Sequence, residues 1–163
     1  MRALLVLVPL LALVASCAKD EERARFTFRV NFPSTSLAIA TEKVKFIVYD
    51  DPDPAACQRI YLKRITNQTD LPPVVLSTEE VPVCDLALGR SPSLELSLGK
   101  HSILAVGLRN DTDLLLGCSD VALSSDGGEV VVDLALPSTT PVPSLSACTS
   151  LTNFCDDATA CKK

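Results

Sequence analysis

Aromatic residues and histidine are scarce in this 163-residue sequence. It has no tryptophan, one histidine and only 4% aromatic residues. The lone His101 has no serine or cysteine partner at a catalytic spacing, and no G-x-S-x-G motif is present. We therefore expect His101 to be an exposed polar residue at a strand end, and the chain not to be an enzyme. A sugar-binding platform needs exposed tryptophan or tyrosine, and this chain has only Tyr49 and Tyr61 to offer.

Charge and length exclude further classes of protein. Lysine and arginine number 15 against 20 aspartate and glutamate, so the net charge of −5 argues against binding to a nucleic-acid backbone. A chain of 163 residues is short for a two-domain enzyme, and a hydrophobic fraction of 47% is high for a disordered acidic chain. Nothing in the composition calls for a cofactor.

The N-terminus has the pattern of an export signal. Met1-Arg2 supplies a positive start, and residues 3–14 form an apolar run of twelve. A transmembrane helix needs about 20 apolar residues to cross roughly 30 Å of hydrocarbon, so this run is too short to be one. The pattern predicts a signal peptide over residues 1–16.

The end of this segment resembles the lipobox of bacterial lipoproteins. Val14-Ala15-Ser16-Cys17 has an aliphatic residue, two small residues and a cysteine. The resemblance implies cleavage before Cys17 and lipidation of its thiol, and two or more acyl chains give a stable membrane anchor. In Gram-negative lipoproteins an aspartate after the cysteine is associated with inner-membrane retention, so Ala18 implies the outer membrane of the cell envelope. The alternative is an ordinary signal peptide cut after Ser16 or Ala18.

The cysteine count fits a disulfide framework in an exported protein. Besides Cys17, six cysteines remain: Cys57, Cys84, Cys118, Cys148, Cys155 and Cys161. An even number in an oxidising compartment predicts disulfides, whereas the wide spacing in the tail disfavours a zinc site. Six cysteines allow 15 pairings, and the three in the tail cannot all pair with one another. We favour Cys57 with Cys118, and Cys84 with a tail cysteine.

Alternation of apolar and polar residues predicts about seven strands. In residues 25–32 the side chains of Phe26, Phe28, Val30 and Phe32 would face the core, because successive side chains of a strand point to opposite faces. The predicted strands are residues 25–32, 43–49, 74–76, 93–98, 103–108, 114–121 and 129–136. Residues 37–39 form a short piece leading into the second strand, residues 55–65 one short helix, and residues 79–92 an irregular segment.

These short strands predict an antiparallel β-sandwich. Turns at residues 99–100, 110–113 and 124–128 would join the last strands into a meander of hairpins. Residues 92–136 resemble, in topology, the transthyretin-like and immunoglobulin-like modules of bacterial envelope proteins, which implies a fold but no activity. We divide the chain into a signal peptide (1–16), a charged tether (17–24), the sandwich (25–136), a Pro/Ser/Thr linker (137–147) and a Cys-rich tail (148–163).

Aspartates cluster in three segments that could supply oxygen ligands. They are Asp50, Asp51 and Asp53, then Asp111 and Asp113, then Asp156 and Asp157. Convergence of two segments within about 5 Å would favour calcium, but the EF-hand pattern is absent and turn and helix-cap roles explain these residues, so no metal is expected. Asn67-Gln68-Thr69 and Asn110-Asp111-Thr112 match the glycosylation acceptor pattern, and we interpret both as polar turns.

We therefore expect a membrane-anchored envelope lipoprotein with a non-catalytic β-sandwich for binding or structural support. Its partners would be the lipid bilayer, through the acyl chains, and an unidentified protein or ligand, but not nucleic acid. One alternative is a calcium-dependent ligand binder or an enzyme that uses the Asp-rich turns. Another is a disulfide-rich inhibitor of a secreted partner, which would present the loop at residues 67–73.

Overall fold

The computed structural model describes residues 22–51, 53–138, 140–141, 148 and 150–156. The predicted signal peptide with Cys17 lies outside the described residues, as do Cys161 and Asp157. The described strands are β1 (Arg23–Asn31), β2 (Lys43–Tyr49), β3 (Val74–Ser77), β4 (Val81–Pro82), β5 (Ser93–Ser97), β6 (Gly99–Arg109), β7 (Thr112–Leu123) and β8 (Gly128–Asp133). The helices are α1 (Thr35–Ala40), α2 (Ala56–Ile65), α3 (Val83–Ala87) and α4 (Leu151–Asp156). Over these residues, no helix has the length and apolar character to cross a bilayer.

The strands form two sheets that pack as a sandwich. The small sheet has the order β5-β1-β8, and the large sheet has the order β3-β2-β6-β7, with β4 also paired to β2. The predicted inward residues of β1 and β2 fill the space between the sheets, where the rings of Phe28 and Phe46 lie 5.3 Å apart. The predicted mainly β sandwich is thus confirmed.

The central strand β6 is buried on both faces, as its apolar sequence predicts. Ile103 and Ala105 face the small sheet, whereas Leu104 and Val106 belong to a second core with Ile60 of α2. Helix α2 therefore covers the outer face of the large sheet and forms a third layer. Its predicted range of 55–65 differs from the observed one by a single residue at the N-terminus.

The path of β8 differs from the predicted antiparallel meander. Strands β6 and β7 form the expected hairpin, but β8 crosses to the small sheet and pairs with β1 in parallel. Apolar alternation places Val130 and Val132 inward but is the same for either sheet, so it does not choose the partner. Beyond β8, Ala135 makes an isolated bridge to Leu116 of β7.

Several local predictions are also corrected. Residues 37–39 lie in helix α1, because the side chain of Ser34 accepts a hydrogen bond from Leu37 N and caps the helix. The segment at 79–92 contains β4 and α3. Gly99 begins β6 in the large sheet directly after β5 in the small one, so the predicted turn is a corner between sheets. Strand β1 begins at Arg23, inside the predicted tether.

Gly117 lies where the chain after β8 crosses β7. A Cβ atom on Gly117 would overlap the backbone carbonyl oxygen of Asp133, and the neighbouring Leu116 and Ala135 exchange backbone hydrogen bonds of 2.9 and 2.8 Å. No rotamer change can relieve a clash with a carbonyl group. The crossing therefore requires glycine at this position.

We predict that Gly117→Ala lowers the free energy of unfolding by about 3 kcal/mol, the upper range for overpacking, because backbone must move. Gly107→Ala is the matched control: its Cβ would lie 3.1 Å from Leu115 Cβ and 3.2 Å from Thr41 Cγ2, so these neighbours need to shift by only a few tenths of an ångström. We expect a loss of about 1 kcal/mol there. Urea unfolding measures both, and equal losses would contradict this account of the crossing.

Candidate functional site

The cysteines of the described chain form disulfides and no metal site. Cys57 is bonded to Cys118 and Cys84 to Cys155, each with a Cα–Cα distance of 5.3 Å. The first is the pairing favoured on sequence, and in the second Cys155 is the tail cysteine that pairs with Cys84. Cys148 is also disulfide-bonded. The first bridge fixes α2 to β7, and the second fixes the tail helix α4 to α3.

The first aspartate cluster is used locally, around the start of α2. Asp51 and Asp53 both form ion pairs with Arg59. Asp53 Oδ1 also accepts a hydrogen bond of 2.8 Å from Ala55 N, and Asp51 Oδ1 accepts one of 3.0 Å from Asp53 N. The Ala55 N–H and the Arg59 guanidinium hold the pKa of Asp53 below its ordinary value. This cluster therefore shapes the turn before α2. The helix-cap role expected at this position is wrong, because Ala55 is the N-cap residue of α2 and no side chain caps the helix.

The second cluster is paired with cations from other elements. Asp113 accepts two hydrogen bonds from Arg64 of α2, Nε to Oδ2 at 2.6 Å and Nη2 to Oδ1 at 3.0 Å. Asp111 lies 3.4 Å from Lys43 Nζ. Among the described residues, no three histidine, cysteine, aspartate or glutamate side chains are grouped so that they could hold a metal ion. The calcium alternative therefore finds no site in this part of the chain.

His101 is buried, contrary to the prediction of an exposed residue. Only 4% of its surface is accessible, because the corner between β5 and β6 folds over the ring. Its Nε2 lies 2.9 Å from the carbonyl oxygen of Ser97, to which a protonated Nε2 donates a hydrogen bond. Within the described structure Nδ1 has no hydrogen-bond partner. The hydroxyl oxygen of Ser97 also lies 3.4 Å from Nε2, so the ring joins the end of β5 to the start of β6.

Asp120 was not singled out on sequence, yet it fixes the start of α2. Its Oδ1 accepts hydrogen bonds from Cys57 N at 3.2 Å and from Ser102 Oγ. Cys57 is therefore tied to β7 twice, through its backbone to Asp120 and through its sulfur to Cys118. The N-terminal end of α2 is consequently fixed to β7.

A polar groove of about 680 Å³ opens at the far end of α2. Its walls are the α2 C-terminus with the loop that follows, the turn between β6 and β7, and residues 137–141 of the predicted linker as far as these are described. The two Asn-x-Thr turns noted in the sequence, at residues 67–69 and 110–112, thus lie on the same groove. Two other cavities, of about 190 and 420 Å³, are smaller, and we call this one the polar groove.

Backbone conformation explains why asparagine occurs at both turns. Asn67, Asn110 and Asp111 have φ values of +53°, +49° and +56°. Asparagine and aspartate adopt this left-handed region more readily than other non-glycine residues, and two such residues in succession match the type I′ turn of a tight hairpin. The loop after Asn67 is held to α2 by Lys63 Nζ, which lies 2.8 Å from both Asp70 O and Asp70 Oδ2.

The pair between Arg64 and Asp113 forms the charged centre of the polar groove. The two side chains are 35% and 29% exposed, so the pair is accessible from the groove. Hydrogen bonding to Asp113 raises the pKa of Arg64, which keeps the guanidinium charged. Sequence reasoning noted Asp113 but not Arg64 as its partner, because they are 49 residues apart.

No protein-family model and no curated protein matches the sequence. A solved structure from Bacteroides thetaiotaomicron, a DUF1812 protein described as a candidate polysaccharide-binding protein, is similar in part, with 9% sequence identity and a TM-score of 0.41. The similarity covers 68% of this chain and 46% of that protein, so the chain spans less than half of its length.

We predict that the two disulfides have different roles. The Cys57–Cys118 bridge closes a separation of 61 residues, and Cys57→Ser with Cys118→Ser should lower the free energy of unfolding by about 4 kcal/mol through loop entropy. Helix α4 has no buried residue, so Cys84→Ser with Cys155→Ser should release it while the sandwich stays folded. Urea unfolding and chymotrypsin cleavage at Phe154 separate the two outcomes. Early cleavage at Phe154 in the first variant rather than the second would contradict the assignment.

We also predict an alkaline loss of stability that depends on Tyr49. Burial raises the pKa of the Tyr49 hydroxyl, and the nearby charge of Arg64 only partly opposes this. Because the folded-state pKa lies above the unfolded value of about 10, the contribution of Tyr49 to the free energy of unfolding is fully present below pH ~10. It is lost as the pH rises through the folded-state pKa. Tyr49→Phe should therefore show a shallower fall in unfolding free energy above pH ~10. An identical slope in Tyr49→Phe and the unmodified protein would contradict the prediction. Hydrogen bonding to Glu80 also raises the pKa of Lys43, but this effect is the same in both proteins and does not change the difference between their slopes.

Proposed function

We propose that the chain is an envelope lipoprotein, anchored by acyl chains on Cys17, whose β-sandwich is a non-catalytic binding module with the polar groove as its binding surface. The observation that carries the proposal is that the groove and the start of β1 lie at opposite ends of the sandwich. An anchored protein that binds a ligand outside the membrane needs this separation.

The separation follows from strand connectivity. The carbonyl of Glu22 accepts a hydrogen bond of 3.0 Å from Leu98 N, next to the start of β6 at Gly99. Strand β6 then runs to Arg109, and the turn after it borders the groove. At about 3.3 Å per residue, β6 separates the two ends by roughly 30 Å.

The predicted tether limits how far the domain can lie from a bilayer. From Cys17 to Glu22 an extended chain reaches at most about 20 Å. The end of the sandwich with the corner between β5 and β6 would therefore lie near the lipid headgroups. The polar groove would face away from the membrane, open to soluble or surface ligands.

The non-catalytic assignment rests on how the ionisable groups are used. Asp51, Asp53 and Asp113 form ion pairs with arginines, and the only histidine bonds to a backbone carbonyl. A general acid or base needs a free proton-transfer position beside a substrate. The three aspartates are instead committed to holding turns and helix α2, and the unpartnered Nδ1 of His101 is buried.

The anchor is tested by labelling the full chain with an alkyne fatty acid in a Gram-negative host. We expect the label on the unmodified chain and on Ser16→Ala, which keeps a small residue in the lipobox. Cys17→Ser should lose the label, because only a thiol accepts the diacylglycerol. Ala18→Asp should keep the label but shift the protein towards the inner membrane. An unlabelled wild-type chain, or label retained by Cys17→Ser, would overturn the anchor.

A further inference from the structure

We infer that the polar groove binds an uncharged, hydroxyl-rich ligand of the class of neutral oligosaccharides, with Arg64 and Asp113 as its central recognition pair. The inference deepens the proposed binding function and rests on it. It follows from the charge balance, the hydrogen-bonding groups and the size of the groove.

Charge balance argues for a neutral ligand. The ionisable residues among those that line the groove are Arg64, Asp111 and Asp113. Asp113 neutralises Arg64, whereas the exposed Asp111 shares Lys43 with Glu80, which lies closer to its ammonium group. An anionic ligand would therefore meet no uncompensated cation, and a cationic ligand would meet the single exposed carboxylate of Asp111 and no carboxylate cluster. A ligand without charge avoids the cost of separating these pairs.

The central pair keeps hydrogen-bonding capacity for a ligand. A guanidinium has five N–H donors, of which Asp113 takes two, and a carboxylate can accept about four hydrogen bonds. Donors and acceptors therefore remain side by side in a fixed geometry. A hydroxyl group both donates and accepts, so a pair of adjacent hydroxyls can bond to the arginine and the aspartate at once.

The exposed turn residues add uncharged polar groups around this pair. The side chains of Asn67, Gln68 and Thr69 border the groove and form no hydrogen bond with the rest of the described chain. Amides and hydroxyls of this kind recognise sugar hydroxyls without introducing charge. Ile65 and Pro141 supply apolar surface beside them, against which the C–H face of a sugar ring can pack.

The size of the groove suits a short oligosaccharide. Small-molecule sites usually enclose about 300–1,000 Å³, and the groove of about 680 Å³ lies inside that range. No aromatic residue is among those that line it. Recognition would therefore depend on hydrogen bonds more than on stacking, and replacement of polar groups should weaken it measurably.

The test is calorimetric titration of the purified full chain with cellohexaose, mannohexaose, xylohexaose and chitohexaose, and with oligogalacturonate as the charged comparison. We expect binding of at least one neutral hexasaccharide, unchanged by salt because no charge is neutralised. Arg64→Lys should weaken it about tenfold, since lysine lacks the planar fork that pairs with a carboxylate. Gln68→Ala should weaken it by several-fold.

Arg59→Lys is the matched control. It lies on the same helix and is also paired with aspartates, but it does not line the polar groove. Binding in this variant should equal that of the unmodified protein. Unfolding curves of Arg64→Lys and Gln68→Ala show whether each variant is folded, and Gln68 is fully on the surface, so its replacement leaves the fold intact.

Three results would overturn the inference: no neutral hexasaccharide binds at millimolar concentration, only oligogalacturonate binds, or binding is the same in Arg64→Lys, Gln68→Ala and the unmodified chain. The fatty-acid label on Cys17 is measured independently. A labelled chain that fails these titrations would remain a lipoprotein with a different ligand class. Sugar binding by an unlabelled chain would instead contradict only the anchor.

Discussion

Burial of β6 on both faces is the constraint on which the rest of the structure depends. Ile103, Leu104 and Ala105 are fully buried, and Val106 is 2% exposed. Removing both faces of such a strand from water requires a layer on each side, because apolar surface left in contact with water costs free energy in proportion to its area. The small sheet supplies one layer and α2 the other. The small sheet and α2 therefore serve the same purpose, since each keeps one apolar face of β6 out of water.

The attachment of α2 to the paired strands β6 and β7 also creates the polar groove. Asp120 and the Cys57–Cys118 disulfide fix the beginning of the helix, and the ion pair between Arg64 and Asp113 fixes its end. Its C-terminal loop is thereby held beside the hairpin turn after β6. The groove is a consequence of helix placement, and its shape should persist without a ligand because its walls are anchored to the sheet.

Charged groups in this protein mainly serve to position other elements. Arginine and aspartate pairs order the start and end of α2, and the exposed pairs of β1, Arg25 with Glu95 and Arg29 with Glu129, lie across strand neighbours. Exposed pairs of this kind contribute little to stability, with a median near 0–1 kcal/mol. In the polar groove, Arg64 and Asp113 cancel each other's charge.

The sequence by itself determined helix α2 and every described strand except β4, because period-two and period-3.6 patterns report which side of an element faces the core. It also limited the possible disulfide pairings, and it predicted the polar turns at residues 67–69 and 110–112. It could not determine that β8 joins β1, since Val130 and Val132 point inward in either sheet. Nor could the sequence predict that Arg64 contacts Asp113, or that residues 67–69 and residues 110–112 lie on the same groove. Those contacts link distant positions, and only the packing of α2 onto the sheet, which buries the apolar faces of both, decides which distant residues meet.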